Sequence, residues 1–226
     1  NSDSSIQPVC CFDSGSNQVV MLYQDSATNK LKAVVGAVSG TSISFGTAVV
    51  VSDTTTADES WAINYDVTAD KVLVVFKGSS DTYGRGIVGT VSGTSISFGT
   101  EVIFDSGTNV RQSMLIAYAD YTASNQGKVI QATISGTVPT FGSTVAFITA
   151  NITAENSLQI CFDSTNNKGV VVFKDQDDST DGKAVVITPG GTLSNLTATN
   201  FVGIADAGIA TSATGTIVVQ GGTANM

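Results

Sequence analysis

The chain has 226 residues, of which 13% are charged, and it carries a net charge of −9. That balance repels phosphate backbones and anionic lipid headgroups, so neither nucleic acid nor membrane is an expected partner. With no histidine, every Ser-His-Asp and Cys-His arrangement and the commonest general base are excluded.

No apolar run approaches the roughly 20 residues that cross a bilayer as a helix. The N-terminus has neither the basic region nor the apolar core of a signal peptide, and starting at Asn1 it reads as a processed product or the ordered part of something longer. The 23 glycines and the many Ser and Thr residues suit an all-β chain with tight turns.

The first predicted unit, residues 7–53, opens on a short strand ending Phe12-Asp13. It continues through the apolar strand VVMLY to Tyr23 and a third strand, KAVVGAV, and ends on SISFGTAVVV. The second unit, residues 60–105, repeats this order with Tyr65-Asp66, VLVVF to Phe76 and RGIVGTV. The third, residues 106–150, keeps MLIAY to Tyr118 and KVIQATI, but its first strand is blurred into EVIFDSG around Phe104 and Asp105. The fourth, residues 157–192, has Phe162-Asp163, GVVVF to Phe173 and KAVVITP, and lacks the closing motif.

That motif shows the repetition most sharply. VSGTSISFGT runs from Val38 to Thr47 and again, unchanged, from Val91 to Thr100, and a worn copy, ISGTVPTFGS, runs from Ile134 to Ser143. One supersecondary unit has been copied along the chain, and the closer spacing of the third copy implies the loss of about one strand's worth of residues. Gly40 and Gly93 lie between strand-like runs, where a turn with positive φ is expected. The segments Val19–Tyr23, Leu73–Phe76, Leu115–Tyr118 and Val170–Phe173 are expected to be equivalent central strands of four successive sheets, covered on both faces. Repeated four-stranded antiparallel units point to a β-propeller-like domain of about four blades over residues 1–192, with an elongated stack of modules and a pair of sandwiches as rivals. Residues 193–226 form a small C-terminal β segment or the start of a further module.

Asp13, Asp66 and Asp163 stand in register. A catalytic group needs one site, whereas a residue present in each of these copies is better explained by the architecture, here an Asp closing a turn through backbone N–H groups. No carboxylate pair stands apart as a glycosidase would require. Cys10, Cys11 and Cys161 read as small buried thiols, and no metal set is expected from them. Asp177-x-Ser179-x-Asp181-Gly182 imitates the opening of a calcium loop. Thr188 stands where the later Glu would be, so a solvated hairpin tip is preferred to a calcium site. Trp61 stands where Pro8 and Leu158 stand in units one and four, which points to packing between units more than to sugar stacking. The sequons at Asn151 and Asn195 read as accidents of a chain rich in Asn and Thr.

Unit-to-unit difference concentrates in the loops between second and third strands, so Tyr83, Arg85, Tyr121, Asp175 and Asp178 are the candidate receptor-contact residues. Neither catalytic residue nor cofactor is expected.

After Thr192 comes LSNLTATNFVGIADAGIATSATGTIVVQGG, which resembles a segment near the C-terminal ends of repeat regions in tailed-bacteriophage fibre and appendage proteins, of the marine and cyanobacterial phage type. The units FDSGSNQVVMLYQD and VSGTSISFGTEVIF are similar to the repeats of those proteins. The resemblance spans almost the whole chain and lies in repeat texture. It implies a non-enzymatic virion structural protein, homo-oligomeric, located on the particle, assembled with other virion subunits and attaching to a host-surface glycan or protein. The alternatives are a subunit of a bacterial surface filament or adhesin and a secreted carbohydrate-active propeller enzyme.

Overall fold

The computed structural model describes residues 5–106, 108–111, 115–152, 158–163, 165–166, 168–177, 182–188, 204–205, 216–219 and 222–225. Among them the protein is all-β, in several antiparallel sheets, with a single 3₁₀ turn at Tyr121–Ala123. Branched and aromatic runs form the strands, and Asp, Asn and Gly close the turns between them.

In the first unit β1 (Ser5–Asp13), β2 (Gln18–Asp25) and β3 (Lys30–Ser39) form an antiparallel meander. The C-terminal half of β3 pairs with β4 (Ser42–Phe45), and its N-terminal half pairs with the beginning of β5 (Val49–Asp66). β4 and the start of β5 together make one fourth strand broken at Gly46, whose N–H donates to the Val35 carbonyl at 2.9 Å.

The second unit repeats the pattern with the end of β5, β6 (Lys71–Gly78), β7 (Tyr83–Ser92), β8 (Ser95–Phe98) and β9 (Val102–Ser106). The third uses β10 (Thr108–Arg111), β11 (Leu115–Asp120), β12 (Gln126–Ser135), β13 (Val138–Phe141) and β14 (Val145–Asn151). Gly99 N–H donates to the Val88 carbonyl and Gly142 N–H to the Gln131 carbonyl, so the break in the fourth strand recurs in register. The fourth unit contains β15 (Gln159–Asp163), β16 (Lys168–Lys174) and β17 (Gly182–Ile187). A separate ribbon follows, of β18 (Ile204–Ala205), β19 (Thr216–Val219) and β20 (Gly222–Asn225).

Two expectations are corrected. The first two units share one nine-stranded sheet, because β5 runs 18 residues without a break and carries the ladder from β3 to β6 through an irregular register between Thr56 and Trp61. The third unit has also lost no strand. EVIFDSG supplies β9, which closes unit two on β7, and the first strand of unit three is β10. The chain is shortened in the crossover, where β9 and β10 replace one long strand.

Alternation along the central strands packs the units face to face, since neighbouring residues of a strand point to opposite sides. From β6, Val72, Val74 and Phe76 join Val20, Leu22, Ala33 and Val35 of unit one in one core. Leu73 and Val75 join Ile116, Tyr118 and Ile130 of unit three in another. A third core places Leu115, Ala117 and Val129 against Ile160, Val171 and Phe173 of unit four. Trp61 lies in the first of these cores, and its Nε1–H donates to the Gln7 carbonyl at 3.1 Å, so it packs between units. The outermost units differ: Val172 on β16, the central strand of unit four, is 43% exposed, and Val19 and Met21 on β2 are only partly buried, so full burial of the central strands does not extend to units one and four. No closed barrel or propeller ring occurs among the described residues.

The expectation of buried thiols is corrected as well. Cys10 and Cys161 are exposed, because they lie on the outward faces of the first and fourth units, and only Cys11 is partly buried, against the first core.

Each glycine of the motif has its own reason. Gly40 and Gly93 take φ of +58° and Gly136 +65°, as the hairpin turn requires. The second glycine makes a close approach between units: a Cβ on Gly46 would lie 1.9 Å from the Thr94 carbonyl oxygen, and one on Gly99 would lie 1.9 Å from that of Thr137. Gly93→Val is expected to destabilise the chain by about 2 kcal/mol or more, whereas Ser92→Ala should change stability by less than about 0.5 kcal/mol. Gly99→Ala should cost about 1–3 kcal/mol by forcing the two hairpins apart. Urea unfolding midpoints of the three variants check the set, and a Gly99→Ala midpoint equal to that of the parent would refute the close approach.

Candidate functional site

The loops joining second to third strands carry the candidate contact residues, and their geometry starts with an acid at the end of the second strand. Asp25, Asp120 and Asp175 each accept a backbone N–H two residues on, from Ala27, Thr122 and Asp177, which folds the chain into a turn. The second carboxylate oxygen meets a lysine entering the third strand. Lys32 reaches Asp25 at 3.0 Å, Lys183 reaches Asp175 at 2.7 Å, and Lys128 pairs with Asp120. All three acids are buried.

Unit two has Gly78 where the other units have this acid, and Arg85 where they have lysine. A Cβ on Gly78 would lie 2.4 Å from Arg85 Nη1, so the glycine makes room for a larger cation. The guanidinium grips Asp81 with two nitrogens, at 2.9 and 2.5 Å, and its Nε–H donates to Glu101 at 2.7 Å. Glu101 in turn accepts from Ser52 and Thr54 of β5, so this cluster ties unit one to unit two.

Arg85 is thus buried and committed to two acids, and Asp175 is a buried turn anchor. Asp175 belongs to the Asp/Lys pair of units one, three and four, Arg85 to the cluster that replaces it in unit two, and neither offers a free group to a receptor. Tyr83 is exposed and its ring lies 5.8 Å from the Arg85 guanidinium carbon. Tyr121 stands in the 3₁₀ turn that follows Asp120. Asp178, Ser179 and Asp181 lie outside the described residues. Of the calcium candidates, Asp177 is described, and its Oδ2 accepts the Asn151 N–H at 2.8 Å, a contact that joins unit three to unit four.

The first-strand acids close turns as their register suggested. Asp13 accepts the Ser16 N–H, Asp66 those of Thr68 and Ala69, and Asp163 those of Thr165 and Asn166.

These partners set the acidity of the carboxylates. Arg85 holds Asp81 down to about 2, and Lys32 lowers Asp25. Burial opposes ionisation of Asp120, and Lys128 with Thr122 outweighs it, leaving a net lowering. Asn166 lowers Asp163. A general acid for glycoside cleavage needs the reverse, a carboxyl pushed up by an apolar setting. In contrast, burial raises the Tyr118 phenol, which donates to Asp105.

The recurrent Asp/Lys pair was legible but passed over. Asp25, Asp120 and Asp175 directly follow the second strand, and Lys32, Lys128 and Lys183 enter the third, the same in-register signal that explained Asp13, Asp66 and Asp163. The Arg85–Glu101 link had no such signal, since it joins residues that the pairing of β7 with β9 inside unit two brings together.

Comparison with protein-family models, with curated proteins and with solved structures finds no match to this chain.

Two outcomes follow from the ion pairs. The folded Asp81 carboxyl titrates near 2, below its unfolded value of about 3.9. Its contribution is therefore present above about pH 4 and lost as pH falls through about 2. Asp81→Asn should be less stable than the parent at pH 7 and equal to it at the acid end, read from unfolding midpoints across pH; a gap independent of pH would refute the assignment. Lys183→Met, which leaves Asp175 buried and unpaired, should cost about 3–5 kcal/mol. Adding Asp175→Asn should recover part of that loss, and strict additivity in this double-mutant cycle would show that the pair is uncoupled.

Proposed function

We propose that the chain is a non-enzymatic structural module of a bacteriophage tail fibre or related virion appendage, with attachment to the host surface as its role. Its repeated units act as blades of a propeller-type stack that is left open at its ends. The observation that carries this reading is the use made of the repeated polar side chains. The in-register acids hold turns or pair with partly buried lysines, and the carboxylates that depart from ordinary acidity among those described are displaced downward. Such a chain spends its polar chemistry on rigidity, as a load-transmitting spacer requires. The repeat texture shared with phage fibre proteins supplies the class, and the acidic surface fits a particle that must not adhere to its own nucleic acid.

Recognition is then left to loop ends displayed by a rigid scaffold. Tyr83 is the exposed aromatic among the described candidates, and an aromatic ring offers a flat apolar face to a sugar or a protein surface.

Gold-labelled antibody against the chain should decorate the tail appendages of intact particles in micrographs. Label confined to capsids or to bacterial surface filaments would refute the assignment. Purified chain should bind cells of the bacterium on which the particle grows. Replacing Tyr83 and Tyr121 by Ala should weaken that binding by about tenfold or more, without release of reducing sugar from the host's polysaccharide. Undiminished binding would move attachment elsewhere, and sugar release would overturn the non-enzymatic assignment.

A further inference from the structure

The same ten residues occupy two different environments in this molecule. In unit two Ile96 is 5% exposed and packs, with Val91 and Phe98 beside it, on the core shared with unit one. In unit one the equivalent Ile43, Val38 and Phe45 are 43%, 56% and 50% exposed. Pairing places them on one face, since Gly36 opposes Phe45 and Val38 opposes Ile43. Phe12, equivalent to the partly buried Tyr65, extends the patch at the first strand, and it too is exposed.

What covers this face inside the molecule is visible one unit along. Unit one presents Val20, Leu22, Ala33 and Val35 to unit two, all fully buried. In unit four the equivalent positions are Val170, Val172, Ala184 and Val186, which are again apolar, and Val172 and Val186 are exposed on its outward face. Among the described residues, units one and four thus carry the two halves of the internal joint, one on each outward face.

We propose that the outward face of unit one is a docking surface for the outward face of unit four in a second copy of this chain, so that copies join head to tail through the contact that joins unit one to unit two. The joint is heterologous, with different surfaces on the two sides. It is a property of the stack and does not depend on where the module is used.

The cysteines give an independent reading of the same joint. Cys11 on unit one's inner face and Ile63 of unit two share the first core. Their equivalents on the outward faces are Cys161 of unit four and Cys10 of unit one, both exposed. Head-to-tail contact brings Cys161 of one copy to Cys10 of the next. Cys11 stays out of the reaction, because burial, with Asp13 and Cys10 nearby, pushes its thiol up to about 12.

Sedimentation velocity over a dilution series should show concentration-dependent association. Ile43→Glu and Val172→Glu, both at exposed positions, should each weaken it by about 30-fold or more. Mixing the two variants should restore a dimer, because one intact joint can form between them, and this recovery also shows that both are folded. A short bis-maleimide should cross-link the parent chain between copies, and Cys10→Ser or Cys161→Ser should abolish the product. Monomer at every concentration, dimerisation that survives Val172→Glu, no recovery on mixing, or cross-links that persist without Cys10 would each overturn the proposal.

Discussion

A sheet that is apolar on both faces cannot stand alone in water, and this constraint governs the molecule. β6 sends Val72, Val74 and Phe76 to one neighbour and Leu73 and Val75 to the other, all essentially without exposure. Burying such a side chain contributes about 1.5–3 kcal/mol. A single unit would forgo most of that on each uncovered side. Stability therefore belongs to the joints between units more than to the units, as in solenoid arrays, where each repeat leans only on its neighbours.

Polar groups set the geometry of those joints. The fourth strand breaks at the second glycine of the motif, whose N–H bonds back to the third strand and which, at Gly46 and Gly99, lies against a carbonyl of the next unit. A side chain there would hold the hairpins apart and open the core between them. Glu101, reached from β5 by Ser52 and Thr54 and from β7 by Arg85, fixes the same pair of units at the opposite end of the strands. Between these two anchors the apolar side chains have one register in which to interdigitate. In units one, three and four the ion pair at the loop end fixes the third strand to the second, so these layers are already rigid when they meet.

Much of this was legible in the sequence, because repetition exposes function by comparison within one chain. The all-β class, the turn glycines, the turn-closing acids and the place of Trp61 followed from period and register. What escaped depended on side-chain partners, strand pairing and exposure that the repeat pattern does not record. Arg85 and Asp175 looked like loop residues because their loops differ in length, yet the partners of each, Asp81 with Glu101 and Lys183, make them buried supports. EVIFDSG looked like a worn first strand because an aromatic followed by an acid ends the first strand of each of the other units, and only pairing on β7 assigns it to unit two. Cys10 and Cys161 looked buried because their neighbours in sequence are apolar. Their exposure depends on which face of the stack each points to, and no local pattern records that.

The wear in the third copy of the motif bears out the division of labour between its two faces. Val138, Pro139 and Thr140 replace the Ser95, Ile96 and Ser97 of the second copy. Pro139 is buried, and Phe141 and Ile134 keep the apolar contact with unit two. Val138 and Thr140 changed where the chain is exposed. Gly136 keeps its positive φ, and Gly142 keeps its bond to the third strand. Substitution was thus accepted at solvent-facing positions, and by an apolar residue at the one buried position that changed, while the positions that make the turn and hold the strand break stayed fixed. The glycines are held by the turn, by their own sheet and, in the first two copies, by the close approach to the next unit, whereas the exposed Val38, Ile43 and Phe45 of the first copy are retained without a covering unit among the described residues.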